Sequence, residues 1–207
     1  MKHLHIFALV GMIFFLSACK WKTTKSALKH GEVLKSSIDS FEKNRQKLST
    51  NLVASLEEAE EALTEENPDL PKVSKDFEKE WTGINNRYKK LKGDFDKVGE
   101  SSNKYFGELD ELSNNISKEE LRNQELAKNQ ELRVKWEESY NEAEVSINKI
   151  TSVLESGNDF HMVLVASSIR QKLEQNVDEL KVISKQAKDL LQDLELFTQA
   201  GRELVKG

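Results

Sequence analysis

The chain has little of several residues that define common classes of protein. It has one cysteine, which excludes a disulfide-stabilised scaffold and any zinc or iron–sulfur site built from several cysteines. Two prolines and nine glycines exclude a collagen-like or proline-rich disordered chain. Positive charge is not in excess: the 207 residues carry a formal net charge of −5, which argues against a nucleic-acid partner. Charged residues make up 32% of the chain, and heavy use of Glu, Lys, Leu and Ser indicates long amphipathic helices.

The long apolar run near the start covers residues 6–16. A membrane-spanning helix needs about 20 apolar residues, so this run is too short to remain as a span. It follows a short basic start at Lys2, His3 and His5 and leads into small residues. This arrangement is typical of an export signal.

Leu16, Ser17, Ala18 and Cys19 resemble the lipobox of bacterial lipoproteins at all four positions, since that motif has an aliphatic residue, two small residues and a cysteine. The resemblance implies that a diacylglycerol is attached to the sulfur of Cys19, that the signal peptide 1–18 is cleaved, and that the new amino group is acylated. Two or three acyl chains anchor a protein stably, at about 0.8 kcal/mol per buried CH₂. The alternatives are an ordinary signal peptide with an accidental cysteine, or an uncleaved anchor.

Residues 19–25 are predicted to form a basic tether beside the membrane, containing Lys20, Trp21, Lys22 and Lys25. Lysines beside an acyl anchor attract anionic headgroups, and tryptophan suits the interface; a plain solvated tether is the alternative. Lipoproteins retained in the inner membrane of enteric bacteria carry Asp where this chain has Lys20, and the acidic patch that marks surface export in some lineages is also absent. The resemblance therefore implies the periplasmic face of the outer membrane.

Four helical segments are predicted, at about residues 26–64, 72–113, 118–156 and 159–205, with no competing strand pattern. The first has apolar residues on one helical face: Leu34, Ile38, Phe41, Leu48, Leu52, Leu56, Ala59 and Leu63. It ends at residues 65–71, which contain both prolines and form the clearest loop.

The second segment has the most regular pattern, with alternating steps of four and three residues at Phe77, Trp81, Ile84, Tyr88, Leu91, Phe95, Val98, Ser102, Tyr105, Leu109, Leu112 and Ile116. Such a repeat makes a seam that packs against another helix. The aromatic side chains are bulky for a two-stranded coiled coil. They indicate the wider core of a bundle with coiled-coil-like packing.

The remaining helix boundaries rest on local signals. Ser117 and Glu120 match a capping box, so residues 113–118 are predicted to separate two helices, with one long kinked helix as the alternative. Gly157 is expected to end the third helix, and Asn158 or Asp159 to cap the fourth. The expected inward residues are then Leu132, Trp136, Tyr140, Ala143, Ile147, Ile150 and Leu154 in the third helix, and Phe160, Val163, Ala166, Ile169, Leu173, Val177, Leu180, Ala187, Leu191 and Leu194 in the fourth.

Short links between long helices favour antiparallel neighbours. We therefore expect an all-α fold, with residues 26–207 forming a single elongated antiparallel bundle of about four long helices. Beyond the lipobox, this body resembles all-helical envelope lipoproteins only generically.

No catalytic, cofactor-binding or metal site is expected. A di-iron bundle uses Glu-x-x-His pairs, but the residues three positions before His30 and His161 are Ala27 and Asn158. A phosphate-binding loop and a nucleophile elbow are absent from the sequence. Asp159 beside His161 is the best local cluster, and we interpret it as part of a helix cap in preference to a metal or proton-transfer site.

Six glutamates lie near the end of the first helix: Glu57, Glu58, Glu60, Glu61, Glu65 and Glu66. Acids at a helix C-terminus oppose the macrodipole, so a compensating charge is expected. An antiparallel second helix would place Lys72, Lys75 and Lys79 alongside them. The alternative is an acidic interaction tip, far from the membrane, that meets divalent cations or a basic partner.

These features favour a non-enzymatic envelope lipoprotein that acts as a scaffold or by protein interaction. Its expected partners are the lipid bilayer, through Cys19, and a protein that the sequence does not identify. Association with further copies of the same chain, as a homo-oligomer, is an alternative. A periplasmic holdase-like chaperone and a lipid or small-molecule binder with a cavity in the bundle are the alternatives. The chaperone predicts exposed apolar patches, and the binder predicts an internal pocket beside Trp81, Tyr88, Trp136 or Tyr140.

Overall fold

In the computed structural model, the backbone is described for residues 4–170 and 177–205, and the side chains for residues 26, 28–170 and 177–205. This part of the chain forms four helices: α1 (Leu4–Leu63), α2 (Leu70–Asn114), α3 (Glu119–Arg170) and α4 (Val177–Leu204). The predicted all-α fold is confirmed, and the described residues contain no strand.

The helices pack as an antiparallel ring. Each helix contacts the next one along the chain, and α4 closes the ring by packing against α1. The α1–α2 pairing shows the direction: Ser26 bonds to Glu108, whereas Asn44, further along α1, meets Asp94, earlier in α2. The expected bundle is therefore confirmed.

The first connection forms where the prolines predicted it. α2 begins after Asp69, whose carboxylate accepts a hydrogen bond from the Lys72 amide at 3.1 Å, and Pro71 lies in the first turn. This cap satisfies a backbone donor that the helix leaves unpaired. At its other end α1 begins at Leu4, well before the expected start near residue 26, and residues 4–26 contain no proline that would interrupt the helix.

The second connection is a true turn between α2 and α3. α2 ends at Asn114, where the amide of Ile116 bonds to the Ser113 carbonyl at 3.1 Å in a tighter turn, and α3 begins only at Glu119, which excludes one long kinked helix. The first backbone bond of α3 runs from Arg122 to the carbonyl of Lys118. Lys118 therefore occupies the cap position predicted for Ser117, one residue later.

The predicted break at residues 157–159 is wrong, since α3 runs without interruption to Arg170. Gly157 serves packing: a Cβ on it would lie 1.8 Å from Cζ2 of the Trp81 indole. Asn158 and Asp159 are exposed residues inside the helix and cap nothing. The third and fourth helices therefore span other residues than the predicted 118–156 and 159–205.

The predicted seams of α1 and α2 form the core. All eight predicted α1 residues are buried, as are the predicted seam residues of α2 from Phe77 to Ser102. Beyond Ser102 the seam becomes half-buried, at Tyr105, Leu109 and Leu112. The reason is that α4 ends near this level, where Gly201 packs against Ile38 of α1, so fewer helices cover the interior.

Two predicted inward residues of α3 face solvent. Ile169 is 78% exposed, because the buried face of α3 continues through Phe160, Leu164 and Ser167. Leu132 is 42% exposed, since it lies at the level where α4 stops. Val163 and Ala166 are only half-buried, and Leu173 lies outside the described residues.

Candidate functional site

The predicted anchor lies outside the residues with described side chains. This applies to the lipobox residues Leu16, Ser17, Ala18 and Cys19 and to the tether residues Lys20, Trp21, Lys22 and Lys25. Within the described part of the chain, no helix has a stretch that is both long and apolar enough to cross a membrane.

The predicted acidic end is at the C-terminus of α1, and its ion pairs come from α4. Glu57 lies 3.7 Å from Lys188, and Glu60 lies 3.7 Å from Lys181. The expected partners on α2, Lys72, Lys75 and Lys79, make no ion pair with these glutamates in the described part of the chain. α4 takes this role because it also packs against α1 and places its own lysines beside these glutamates.

The other four glutamates have no ion pair among the described residues: Glu58, Glu61, Glu65 and Glu66. All four are exposed, and the last two lie in the loop between α1 and α2. Exposed ion pairs contribute little to stability, with a median of about 0–1 kcal/mol. The acidic end is therefore only partly compensated within the chain.

A small cleft opens between α1 and α2 at this end of the bundle, with a volume of about 120 Å³. Its apolar wall consists of Ala59, Ala62, Val73 and Phe77, and its charged rim of Glu58, Lys72, Asp76 and Glu80. We call this the α1–α2 cleft. Three carboxylates against one ammonium give it a negative rim.

Ser55 also lines the α1–α2 cleft. Its side chain is 6% exposed, and its hydroxyl oxygen is buried without a hydrogen-bond partner. A buried polar group without a partner is uncommon and costs stability. Sequence reasoning missed Ser55; the signal available was a hydroxyl between Leu52, Leu56 and Ala59 on the apolar face of α1.

The middle of the bundle holds a buried ion pair between Glu42 and Arg45. The guanidinium donates two hydrogen bonds to the carboxylate, at 2.7 and 2.8 Å, and a third to the Leu191 carbonyl of α4 at 3.0 Å. Burial raises the pKa of Glu42, but the hydrogen bonds and charge of Arg45, with bonds from Thr198 and Gln46, outweigh burial and lower it. The pair thus ties α1 to α4.

Asp94 on α2 forms the corresponding link to α1. The carboxylate is 3% exposed and accepts hydrogen bonds from Asn44, from Ser40 at 3.4 Å and from Lys97 at 3.0 Å. Burial raises the pKa of Asp94, but the bonds from Lys97 and Asn44 and the charges of Lys97 and Lys90 together lower it. The carboxylates of Asp94 and Glu42 accept hydrogen bonds from other residues of the bundle. This suits a structural role.

The aromatic residues considered for an internal pocket divide into two groups. Trp81 and Tyr88 fill the core and donate hydrogen bonds to backbone carbonyls, of Leu154 at 3.1 Å and Ile147 at 2.9 Å. Trp136 and Tyr140 border an open cleft of about 290 Å³ between α2 and α3, together with Asp96, Glu100 and Glu137. Burial, followed by the charges of Asp96 and Glu144, raises the pKa of Tyr140.

The two histidines with described side chains are His30 and His161, and each contacts a residue of α2. His161 stacks on Phe77 with ring centroids 6.4 Å apart, and His30 lies 3.5 Å from Glu108 at the opposite end of the bundle. Within the described residues, no group of three or more His, Cys, Asp or Glu side chains is arranged to hold a metal ion. The α1–α2 cleft is then the candidate site; besides Ser55, the described residues Arg133 and Ser167 also have a buried polar atom without a hydrogen-bond partner.

No protein-family model, curated protein or solved structure matches this chain.

Proposed function

We propose that this protein is a lipid-anchored, non-enzymatic protein of the bacterial cell envelope that acts by contact, as a scaffold or adaptor. The observation that carries the proposal is the sequence Leu16-Ser17-Ala18-Cys19 at the end of a short apolar run. It matches a lipobox at every position, and Cys19 is the single thiol of the chain.

The proposed anchor combines two physical terms. Acyl chains on Cys19 supply hydrophobic insertion at about 0.8 kcal/mol per buried CH₂. Lys20, Lys22 and Lys25 add attraction to anionic headgroups, at about 1 kcal/mol for each residue near the surface. With lysine at position 20, the proposed location is the periplasmic face of the outer membrane.

The packing of the described residues supports a function in which the protein acts by contacting a partner. The bulky aromatic residues mostly fill the core, for example Phe41, Phe95 and Phe197, whose ring centroids lie 5.5–5.9 Å apart. The buried Asp94 carboxylate is bonded to Asn44 of α1, and the buried Glu42 carboxylate is bonded to Arg45, whose guanidinium reaches the Leu191 carbonyl of α4. A partner is then expected to meet the outer surface, for which the partly compensated acidic end of α1 is the first candidate.

A holdase-like chaperone is the second candidate function, favoured by apolar side chains on the surface. Val145 and Leu196, both more than half exposed, border a groove of about 380 Å³ between α3 and α4. Leu28 and Leu121 are exposed in the part of the bundle beyond the end of α4, and Leu132 is exposed beside the last turn of α4. Binding of an unfolded client by the purified protein, abolished by Val145→Ser with Leu196→Ser, would favour this function over the scaffold.

Metabolic labelling with palmitate in a bacterial host tests the anchor. Wild-type protein and the control Lys22→Ala are expected to incorporate label and to sediment with membranes. Cys19→Ser is expected to lose both properties, because the acylated sulfur is absent. Continued labelling of Cys19→Ser would overturn the proposed function.

A further inference from the structure

The turn between α2 and α3 lies at the end of the bundle nearest Cys19. Ser26 of α1 donates a hydrogen bond to Glu108 of α2 at 2.9 Å. Because the two helices are antiparallel, α1 traced back over seven residues to Cys19 and α2 traced forward over eight residues to Ile116 leave this contact in the same direction. At 1.5 Å per residue, both distances are about 10–12 Å. The backbone at Cys19 and the α2–α3 turn therefore lie at nearly the same level.

The α2–α3 turn carries apolar side chains that solvent reaches. Ile116 is half-exposed, and Leu121, in the first turn of α3, is 46% exposed. Lys118 between them is exposed, and its ion pair with the exposed Glu120, at 3.5 Å, is of a kind that contributes little to stability. We call Ile116, Lys118 and Leu121 the turn surface. Apolar side chains beside a lysine suit a membrane interface, where the apolar groups enter the lipid and the ammonium stays at the headgroups.

The backbone of Ile116 is hydrogen-bonded within the turn. Its amide donates to the Ser113 carbonyl at 3.1 Å, and its carbonyl accepts from the Arg122 guanidinium at 3.5 Å. A backbone polar group that enters lipid without a partner costs free energy. The turn can therefore bring the Ile116 side chain into an interface without leaving the amide or the carbonyl of that residue unpaired.

The two ends of the bundle differ in charge. The loop of residues 64–71 contains three acidic residues and no basic residue: Glu65, Glu66 and Asp69. Residues 112–122, around the α2–α3 turn, have no net charge, since two basic residues balance two acidic ones: Lys118, Arg122, Glu119 and Glu120. An anionic lipid surface repels the acidic loop and does not repel the neutral turn. The charges therefore favour membrane contact at the same end of the bundle as the position of Cys19.

We propose that the turn surface contacts the lipid bilayer and is a second attachment point beside the acylated Cys19. Ile116 and Leu121 enter the interface, and Lys118 lies at the level of the headgroups. This contact rests on the proposed function, because the acyl chains on Cys19 bring this end of the bundle to the membrane. Two attachment points fix the orientation of the bundle and hold the acidic loop of residues 64–71 at the end away from the bilayer.

The test places a fluorescent probe on the turn of the purified, acylated protein. Cys19 is the only cysteine of the chain and is blocked by acylation, so Ser117→Cys introduces a single reactive thiol. Asn67→Cys is the matched control, since it lies in the loop at the opposite end and both positions are exposed. Each variant receives an environment-sensitive probe and is reconstituted into vesicles of phosphatidylethanolamine and phosphatidylglycerol that contain a nitroxide-labelled lipid as the quencher.

The nitroxide lipid is expected to quench the probe at residue 117 and not the probe at residue 67. Absence of quenching at residue 117 would overturn the proposal. Equal quenching at both residues would also overturn it, because it would show a bundle that lies along the membrane and not one that is attached at one end.

Two further substitutions separate contact by the turn surface from simple closeness of the tethered end. Ile116→Ser with Leu121→Ser, added to Ser117→Cys, is expected to lose most of the quenching at residue 117, while the acyl chains keep the protein on the vesicles. Val145→Ser is the control and keeps the quenching, since Val145 is 52% exposed on α3 but borders the groove between α3 and α4. Circular dichroism checks that each variant remains helical. Unchanged quenching in the protein with both serines would contradict the proposed contact.

Palmitate labelling of the same protein separates this contact from the anchor. Labelled protein without quenching at residue 117 supports the anchor and overturns the contact of the turn surface. Loss of labelling overturns both, because the contact rests on the anchor. A blue shift of the probe at residue 117 without quenching by the nitroxide lipid would show that protein, such as a second copy of the chain, covers the turn surface, and this too would overturn the membrane contact.

Discussion

The indole of Trp81 on α2 lies directly against Gly157 on α3, so that a Cβ on residue 157 would come within 1.8 Å of Cζ2. The same indole donates a hydrogen bond to the Leu154 carbonyl at 3.1 Å. The packing and the hydrogen bond both hold the indole against α3. Glycine is required at position 157 for the two helices to approach this closely.

Gly157→Ala is therefore expected to destabilise the bundle. Overpacking costs about 1–3 kcal/mol, and this outweighs the roughly 1 kcal/mol that alanine contributes to an isolated helix. Urea unfolding followed by circular dichroism measures the change. Gly83→Ala is the matched control, since a Cβ there meets nothing within 4 Å and should stabilise α2. Equal stabilisation by both changes would refute the close contact.

Removing one member of the buried ion pair should cost more than removing both. Arg45→Met leaves the Glu42 carboxylate without its main partner, which costs about 3–5 kcal/mol. The double variant Glu42→Leu with Arg45→Met removes the uncompensated charge and is expected to recover most of the loss. The free energies of unfolding of the single and double variants are compared. If the double variant were as unstable as Arg45→Met, the loss of stability would not come from the unpaired charge of Glu42.

The stability contributed by Asp94 should depend on pH. Its pKa in the folded state lies below the ordinary value of 3.8, so its contribution is complete above that value and is lost as the pH falls through the folded pKa. Asp94→Asn is expected to be less stable than wild type at neutral pH, by a margin that shrinks below a pH of about 3.8. Unfolding is measured across this range, with the exposed Asp159→Asn as control. A margin that stays constant into acid would contradict the lowered pKa.

The α2 seam and the third helix show where a local sequence pattern predicts the structure correctly and where it does not. The repeat from Phe77 to Ser102 predicted burial correctly because the same face is covered along that whole length. Gly157 followed by Asn158 and Asp159 matches a helix end just as well, yet α3 continues. Nothing near Gly157 in sequence reveals the indole of Trp81, which arrives from another helix.

The α1–α2 cleft was only half predictable. The row of glutamates, including Glu58, could be seen in the sequence, and an acidic interaction tip was one interpretation. Lys181 and Lys188, which neutralise part of the row, are more than 100 residues away and belong to α4. The unpaired hydroxyl of Ser55 could not be predicted, because a serine on an apolar helix face usually bonds within its own helix.

The sequence by itself determined the fold class and the inward faces of α1 and α2. It could do so because burial on one side of a helix imposes a period of 3.6 residues that any partner helix satisfies. Only the tertiary structure decided that Gly157 lies inside α3, that α4 stops beside Ile38, and that Ser55 is buried without a partner. Each of these depends on which side chains from distant segments reach the same place, and that information has no local period.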